Sequence, residues 1–150
     1  MEWLEALRQS TIGLDTAPLI YFIEENPIWL PAIEPFFKAL DQGLFQAVTS
    51  TLTITEVLVH PLRKAQLGLA AQYQRILLNS RNLTVVPVSP PIAEEAAELR
   101  ARYNLRTPDA IHLATAIHAR ATSFLTNDKE LSGPDSLRII TLEYLRPDNA

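Results

Sequence analysis

The sequence predicts an α/β domain in which a mostly parallel sheet lies between two layers of helices. Short apolar strands alternate with helical stretches along the chain, a pattern typical of βα units. At roughly 100–200 residues per domain, the 150 residues predict one domain spanning 1–150. A composition of 47% apolar and 20% charged residues is that of a globular protein with its own core.

The predicted elements begin with a lead-in helix within residues 1–10. Trp3, Leu4 and Leu7 recur there at helical spacing. Thr11–Leu14 is a short apolar strand that ends at Asp15. Two helices follow, at 17–23 and 29–40.

The middle of the chain repeats this strand-then-helix order. A strand is predicted at 46–49, followed by a helix at 51–59 that Pro61 helps to end. Another amphipathic helix covers 65–78, and the β-branched run Leu83–Val86 is a strand.

The last part of the chain contains two helices and two strands. Ser89 is a predicted cap for a helix that opens with Pro90, because proline suits the first helical turn. A second helix covers 107–119. The final strands are predicted at Ser123–Thr126 and at 137–141.

Several kinds of chemistry are excluded or disfavoured by missing residues and motifs. The chain has no cysteine, which excludes disulfides, thiolate nucleophiles and iron–sulfur clusters. It also lacks the glycine-rich nucleotide-binding motifs, the Gly-x-Ser-x-Gly elbow and the His-Glu-x-x-His zinc motif. We expect His60, His112 and His118 to be surface or partly buried helix residues.

The longest stretch without charged residues is too short and too polar to cross a membrane. It runs over the 14 residues 42–55, whereas a span needs about 20 apolar residues. No basic, apolar leader opens the sequence. We therefore expect a soluble, cytoplasmic protein without a membrane partner.

Three of four candidate carboxylates lie where ligands usually bind to such sheets, beyond the carboxyl ends of the strands. Asp15 directly follows the first strand, Asp128 lies two residues past the strand that ends at Thr126, and Glu56 is in the helix after the second strand. Asp109 joins them if the first turn of its helix points to the same edge. Clustered acids repel unless a proton or cation intervenes, and oxygen ligands favour Mg²⁺ or Mn²⁺.

Each of these acids also has a purely structural interpretation. Asp15 and Asp109 could cap or complement helix N-termini, a cap contributing about 0.5–2 kcal/mol. Glu56 could be a solvated helix residue, and Asp128 an ordinary turn residue.

Four sequence blocks around these acids resemble the signatures of the PIN-domain ribonuclease family, which includes VapC-type toxins. They are Leu-Asp-Thr-Ala-Pro-Leu-Ile-Tyr-Phe-Ile-Glu at 14–24, Ser50 with Thr53 and Glu56, Thr-Pro-Asp-Ala-Ile-His-Leu-Ala-Thr-Ala at 107–116, and Leu-Thr-Asn-Asp at 125–128. The resemblance extends from residue 12 to about 141. It implies a three-layer α/β/α sandwich around a five-stranded parallel sheet in the order 3-2-1-4-5.

The resemblance also implies an activity, the hydrolysis of RNA phosphodiester bonds by metal-activated water. Carried over by position, the catalytic acids are Asp15, Glu56, Asp109 and Asp128. We expect the three aspartates to bind Mg²⁺, with Mn²⁺ as the other candidate, and Glu56 to be an outer ligand or water-orienting base. Thr16, Thr126 and Asn127 are the expected supporting residues, since polar neighbours orient metal-binding carboxylates.

The net charge of −4 disfavours RNA binding through a broad basic surface. Without the four acids, the remainder has thirteen acidic and thirteen basic residues, so bound cations would supply much of the attraction for phosphate. Arg106 and Lys129 are candidate RNA-binding residues, as are Arg63 and Lys64; a solvated surface role is the alternative.

Two further questions are left open by the sequence. The alternative function is a non-catalytic PIN-like module that binds RNA or protein. A toxin-type member would form a homodimer and bind a small antitoxin encoded beside it. Eight bulky apolar residues in two early helices could serve the dimer or the monomer core: Leu19, Ile20, Tyr21, Phe22, Trp29, Leu30, Phe36 and Phe37.

Overall fold

Five short apolar runs of the chain form the central sheet. A computed structural model describes residues 1–147, and residues 148–150 of the predicted domain lie outside the described residues. The strands are β1 Thr11–Leu14, β2 Gln46–Ser50, β3 Leu83–Val86, β4 Ser123–Thr126 and β5 Arg138–Thr141. All four pairings are parallel, in the order β3-β2-β1-β4-β5. The predicted α/β class, sheet and strand order are confirmed.

Helices connect the strands and cover both faces of the sheet. They are α1 Glu2–Ala6, α2 Thr16–Ile23, α3 Leu30–Asp41, α4 Thr51–Arg63, α5 Leu67–Asn79, α6 Pro90–Arg102, α7 Thr107–His118 and α8 Leu142–Leu145. The predicted cap of α6 is confirmed, because the Ser89 hydroxyl accepts a hydrogen bond from the Ile92 backbone nitrogen at 3.4 Å. Among residues 1–147, no helix is both long and apolar enough to cross a membrane.

Alternate residues of the strands contribute to two separate cores. Ile12, Leu14 and Leu125 pack with the helices α2, α3, α5 and α8 on one face. Phe124 packs on the other face with α6 and α7. This alternation follows from the two-residue period of a strand, and it leaves both faces of the sheet covered.

Helix α7 comes very close to β1 because position 13 is a glycine. A Cβ atom on Gly13 would lie 2.5 Å from the Cβ of Ala116 and 2.7 Å from Cδ1 of Phe124. The absence of a side chain therefore lets α7 dock directly on the central strand. Since α7 carries Asp109 and His112, this contact also positions one wall of the candidate site.

Several predicted helix limits are wrong. The helix predicted to end near Pro61 continues to Arg63, with Pro61 buried in its last turn. The carbonyl of Pro61 accepts from the nitrogen of Gln66 at 2.8 Å, across the end of the helix. The following helix begins at Leu67, since Ala65 adopts a φ of 53°, which is not helical.

Both termini of the described chain also differ from the sequence prediction. The lead-in helix ends at Ala6, before Gln9 with its φ of 61°. The short helix α8 was not predicted, because four residues are too few to show a helical period.

Candidate active site

The segments that follow β1 and β4 and the N-terminal parts of α2, α4 and α7 surround one cleft of about 520 Å³. The cleft brings together all four predicted acids. Its lining residues are Asp15, Thr16, Ala17, Ile20, Glu56, Arg106, Asp109, His112, Asn127 and Asp128.

Asp15 caps α2 and is held from two sides. One carboxylate oxygen, Oδ1, accepts a hydrogen bond from the Thr16 backbone nitrogen at 2.8 Å. The other, Oδ2, accepts from the Thr126 hydroxyl at 2.7 Å. Asp15 therefore caps α2, as its structural interpretation predicted, and it also lines the cleft.

Thr126 joins two of the acids through its fully buried hydroxyl. Besides donating to Asp15, this oxygen accepts a hydrogen bond from the backbone nitrogen of Asp128 at 3.0 Å. The adjacent pairing of β1 with β4 places the two chain segments side by side. Thr126, which the sequence predicts as a supporting residue, therefore contacts Asp15 directly.

Asp128 and Asp109 have different surroundings. Asp128 is exposed, and its Oδ1 accepts from the Glu130 backbone nitrogen at 2.9 Å, as in an Asx turn. Asp109 lies in the first turn of α7 with its side chain 15% exposed. Its Oδ2 is 3.1 Å from Nε of Arg106, whose side chain is 80% exposed.

Glu56 extends from α4 into the cleft and is held by two donors. Its Oε1 is 2.7 Å from Nε2 of His112 and accepts from the Thr16 hydroxyl, also at 2.7 Å. The hydrogen bond from His112, reinforced by Thr16, outweighs burial and holds the pKa of Glu56 below its usual value. Glu56 is therefore a carboxylate at neutral pH.

His112 is a site residue that the sequence analysis missed. It is 3% exposed, not a surface or partly buried residue as predicted, whereas His60 and His118 are exposed. The signal was its spacing: positions three apart share a helix face, so Asp109 and His112 both point to the cleft from α7.

The remaining predicted residues divide into those that line the cleft and those that do not. Asn127 lines it and donates to the Tyr21 hydroxyl at 3.1 Å. Arg106 also lines the cleft. Lys129 is exposed outside the lining, and Arg63 and Lys64 are exposed at the far end of α4.

The donor chemistry of the cleft fits a hard divalent cation. Its acids offer only oxygen ligands, which Mg²⁺ and Mn²⁺ prefer. Within residues 1–147, however, no three or more Asp, Glu, His or Cys side chains stand at the spacing that holds a metal ion. The ion pair between Arg106 and Asp109 is consistent with this, because it occupies one of the predicted ligands.

A comparison with protein-family models decides the family of the chain. The model of the PIN domain matches residues 12–136. The chain belongs to the PIN domain family. The matched region of this PIN domain begins in β1 and includes all four acids of the cleft, while α1 precedes it.

Solved structures with the same fold come from bacterial toxin–antitoxin systems. VapBC2 of Rickettsia felis, bound to a DNA fragment from its promoter, matches with a TM-score of 0.69 at 16% identity, covering 87% of this chain and 98% of that one. A toxin–antitoxin complex from Klebsiella pneumoniae matches with a TM-score of 0.62 at 26% identity, covering 85% and 95%. DNA-bound VapBC from Salmonella typhimurium matches with a TM-score of 0.65 at 17% identity, covering 89% and 98%. No curated protein sequence matches this PIN domain.

Proposed function

We propose that this PIN domain is a divalent-metal-dependent endoribonuclease. The observation that carries the proposal is the cleft in which Asp15, Glu56, Asp109 and Asp128 come together from four separate segments of the chain. Such a concentration of carboxylates is unfavourable without a cation. The family of the chain and its toxin–antitoxin structural neighbours support the same activity.

Asp15, Asp109 and Asp128 would hold Mg²⁺ or Mn²⁺. When bound, such an ion lowers the pKa of a water molecule and offsets charge on the reacting phosphate. Oδ2 of Asp109 becomes available to the ion when Arg106 moves away, which the highly exposed Arg106 side chain permits. The freed guanidinium is then available to a phosphate of the RNA beside the cleft.

Glu56 would orient the attacking water by accepting a hydrogen bond from it. Its lowered pKa makes it a weak base but keeps it ionised, which suits an acceptor. Thr16 and Thr126 hold Glu56 and Asp15 respectively. Asn127 and Lys129 remain candidates for supporting the site and for binding RNA at its edge.

The test is the cleavage of end-labelled RNA by the purified full chain. We expect cleavage with Mg²⁺ or Mn²⁺ and none after addition of a chelator. Binding of metal and RNA without any cleavage would instead support the non-catalytic module that binds RNA or protein. A single-stranded DNA of the same sequence distinguishes ribonuclease from general nuclease activity.

We also propose that the chain is the toxin of a toxin–antitoxin pair acting on cytoplasmic RNA. The support is that several structural neighbours are toxin–antitoxin complexes. A small antitoxin would insert basic residues into the acidic cleft and prevent cleavage. Co-expression with the product of the adjacent reading frame tests this: the two should co-purify, and the complex should not cleave RNA. A neighbour that neither binds nor inhibits contradicts it.

A homodimer is proposed from the apolar residues of α2 and α3. Leu19, Phe36 and Phe37 are buried within the monomer. Five others remain only partly buried: Ile20, Tyr21, Phe22, Trp29 and Leu30. A second copy of the chain could cover this partly buried set. Light scattering at micromolar concentration should give about twice 16.8 kDa, and a mass near 16.8 kDa contradicts the dimer.

A further inference from the structure

Behind Glu56 lies a buried group of hydroxyls and one imidazole, contributed by α2, β2 and α7. His112, Ser50 and Thr16 are all at least nine-tenths buried. His112 and Thr16 contact Oε1 of Glu56, and Ser50 contacts the other ring nitrogen of His112. Within the described chain, every buried side-chain nitrogen and oxygen has a hydrogen-bond partner. A fully satisfied network of this kind favours one arrangement of its hydrogens.

A neutral imidazole that carries its hydrogen on Nε2 satisfies every hydrogen-bond partner of His112. Ser50 Oγ accepts from the backbone nitrogen of Leu52 at 3.1 Å, so its own hydrogen is free to point to Nδ1 of His112, 3.4 Å away. Nδ1 is then the acceptor of the ring. Nε2 carries the hydrogen and donates it to Glu56 Oε1 at 2.7 Å.

This arrangement treats the two oxygens of Glu56 differently. Oε1 receives both donors, from His112 and from Thr16. Oε2 has no hydrogen bond among the described residues and is not fully buried, since no fully buried side-chain oxygen there lacks a partner. Glu56 is about one-third exposed and lines the cleft, so Oε2 is the oxygen available to a ligand.

We propose that His112 is a positioning residue that fixes Glu56 through its Nε2–H tautomer, so that Oε2 faces the cleft. The effect of His112 on catalysis rests on the proposed nuclease function. Its tautomer and its contact with Glu56 are independent of that function, because they depend only on the buried side chains. His112 also links α4 to α7, the two helices that carry Glu56 and Asp109.

Two amide variants distinguish the hydrogen bond to Glu56 from the other contacts of the His112 ring. In His112→Gln, the side-chain nitrogen replaces Nε2 and still donates to Glu56. In His112→Asn, the shorter amide replaces Nδ1 and reaches only towards Ser50. Loss of an orienting partner costs about 10–100-fold in activity. We therefore expect His112→Asn to lower kcat by about this factor with unchanged KM. His112→Gln should keep kcat within a few-fold of the wild type. His118→Gln, on the exposed end of α7, is the control.

Nitrogen-15 NMR of the His112 ring provides a readout that needs no RNA. We expect the Nε2–H tautomer in the wild-type protein and its loss in Glu56→Ala. An Nδ1–H ring in the wild type, or no change in Glu56→Ala, would overturn the proposal. So would equal loss of kcat in the Gln and Asn variants when both unfold like the wild type.

The two proposals can fail separately. If the wild-type chain cleaves no RNA but His112 shows the Nε2–H tautomer and depends on Glu56, only the nuclease function fails. If RNA is cleaved and His112→Asn keeps full kcat, only the positioning role fails.

Discussion

The hydroxyl of Thr126 donates a hydrogen bond of 2.7 Å to Oδ2 of Asp15, 111 residues away in the sequence. The same oxygen accepts from the backbone of Asp128. One buried hydroxyl therefore connects two acids of the cleft, which come from neighbouring strands. A carboxylate held in this way needs little reorganisation to bind a cation.

Asp15→Asn should reduce RNA cleavage to the level of the metal-free protein. The amide keeps an oxygen for the cap of α2 but has neither the charge nor the second oxygen of the carboxylate. Its free energy of unfolding should change by no more than about 1 kcal/mol, the net contribution of one hydrogen bond. Cleavage of labelled RNA and denaturant unfolding measure the two effects; wild-type rates in the folded variant would contradict the site.

Thr126→Val should lower activity without abolishing it. Valine has nearly the same shape but cannot hold Asp15, and loss of such a partner costs about 10–100-fold in metal affinity or activity. Titration of Mn²⁺ into the full chain measures the affinity. The exposed Thr122→Val is the matched control and should behave like the wild type. Equal affinities in both variants would show that the hydroxyl is not needed.

Arg106→Gln should raise KM for RNA several-fold while leaving kcat nearly unchanged. The highly exposed guanidinium would bind a phosphate outside the reacting atoms, and its loss also frees Asp109. Mn²⁺ should therefore bind at least as tightly as to the wild type. Arg8→Gln is the control, because it removes the arginine of another exposed ion pair, Arg8 with Glu5 near the N-terminus. It should change neither the KM for RNA nor the affinity for Mn²⁺. A fall in kcat alone would contradict this role.

The lowered pKa of Glu56 predicts acid sensitivity. A carboxyl whose pKa is lower in the folded than in the unfolded state stabilises the fold above its unfolded value, near 4.5. That contribution is lost as the pH falls through the lower folded pKa. The stability difference between the wild type and Glu56→Gln should therefore shrink as the pH drops below 4.5. Denaturant unfolding over this range measures it, and a difference independent of pH would contradict the prediction.

Gly13→Ala should destabilise the protein by about 1–3 kcal/mol through overpacking. The new Cβ would lie 2.5 Å from Ala116, so α7 must move away from β1. Gly68→Ala is the matched control, because no atom lies within 4 Å of its added Cβ and it lies in the first turn of α5. It should leave stability unchanged or raise it slightly. Unfolding midpoints that are equal for both variants would show that α7 can shift freely.

The sequence by itself determined the strands and the location of the acids. Thr11–Leu14, Leu83–Val86 and Ser123–Thr126 match the prediction residue for residue, since short apolar runs bounded by polar residues or proline are typical of buried strands. Because parallel strands end at a common edge, Asp15 and Asp128 could be assigned to one side of the sheet from the sequence alone.

Only the tertiary structure decided what surrounds those acids. The contact between Glu56 and His112, 56 residues apart, depends on how closely α7 docks against β1 at Gly13, and no local pattern encodes that distance. The pairing of Arg106 with Asp109 depends on side-chain conformations at the end of a helix. Local propensity and periodicity specify which element forms, whereas the burial and hydrogen-bond partners of a side chain depend on residues that are distant in sequence.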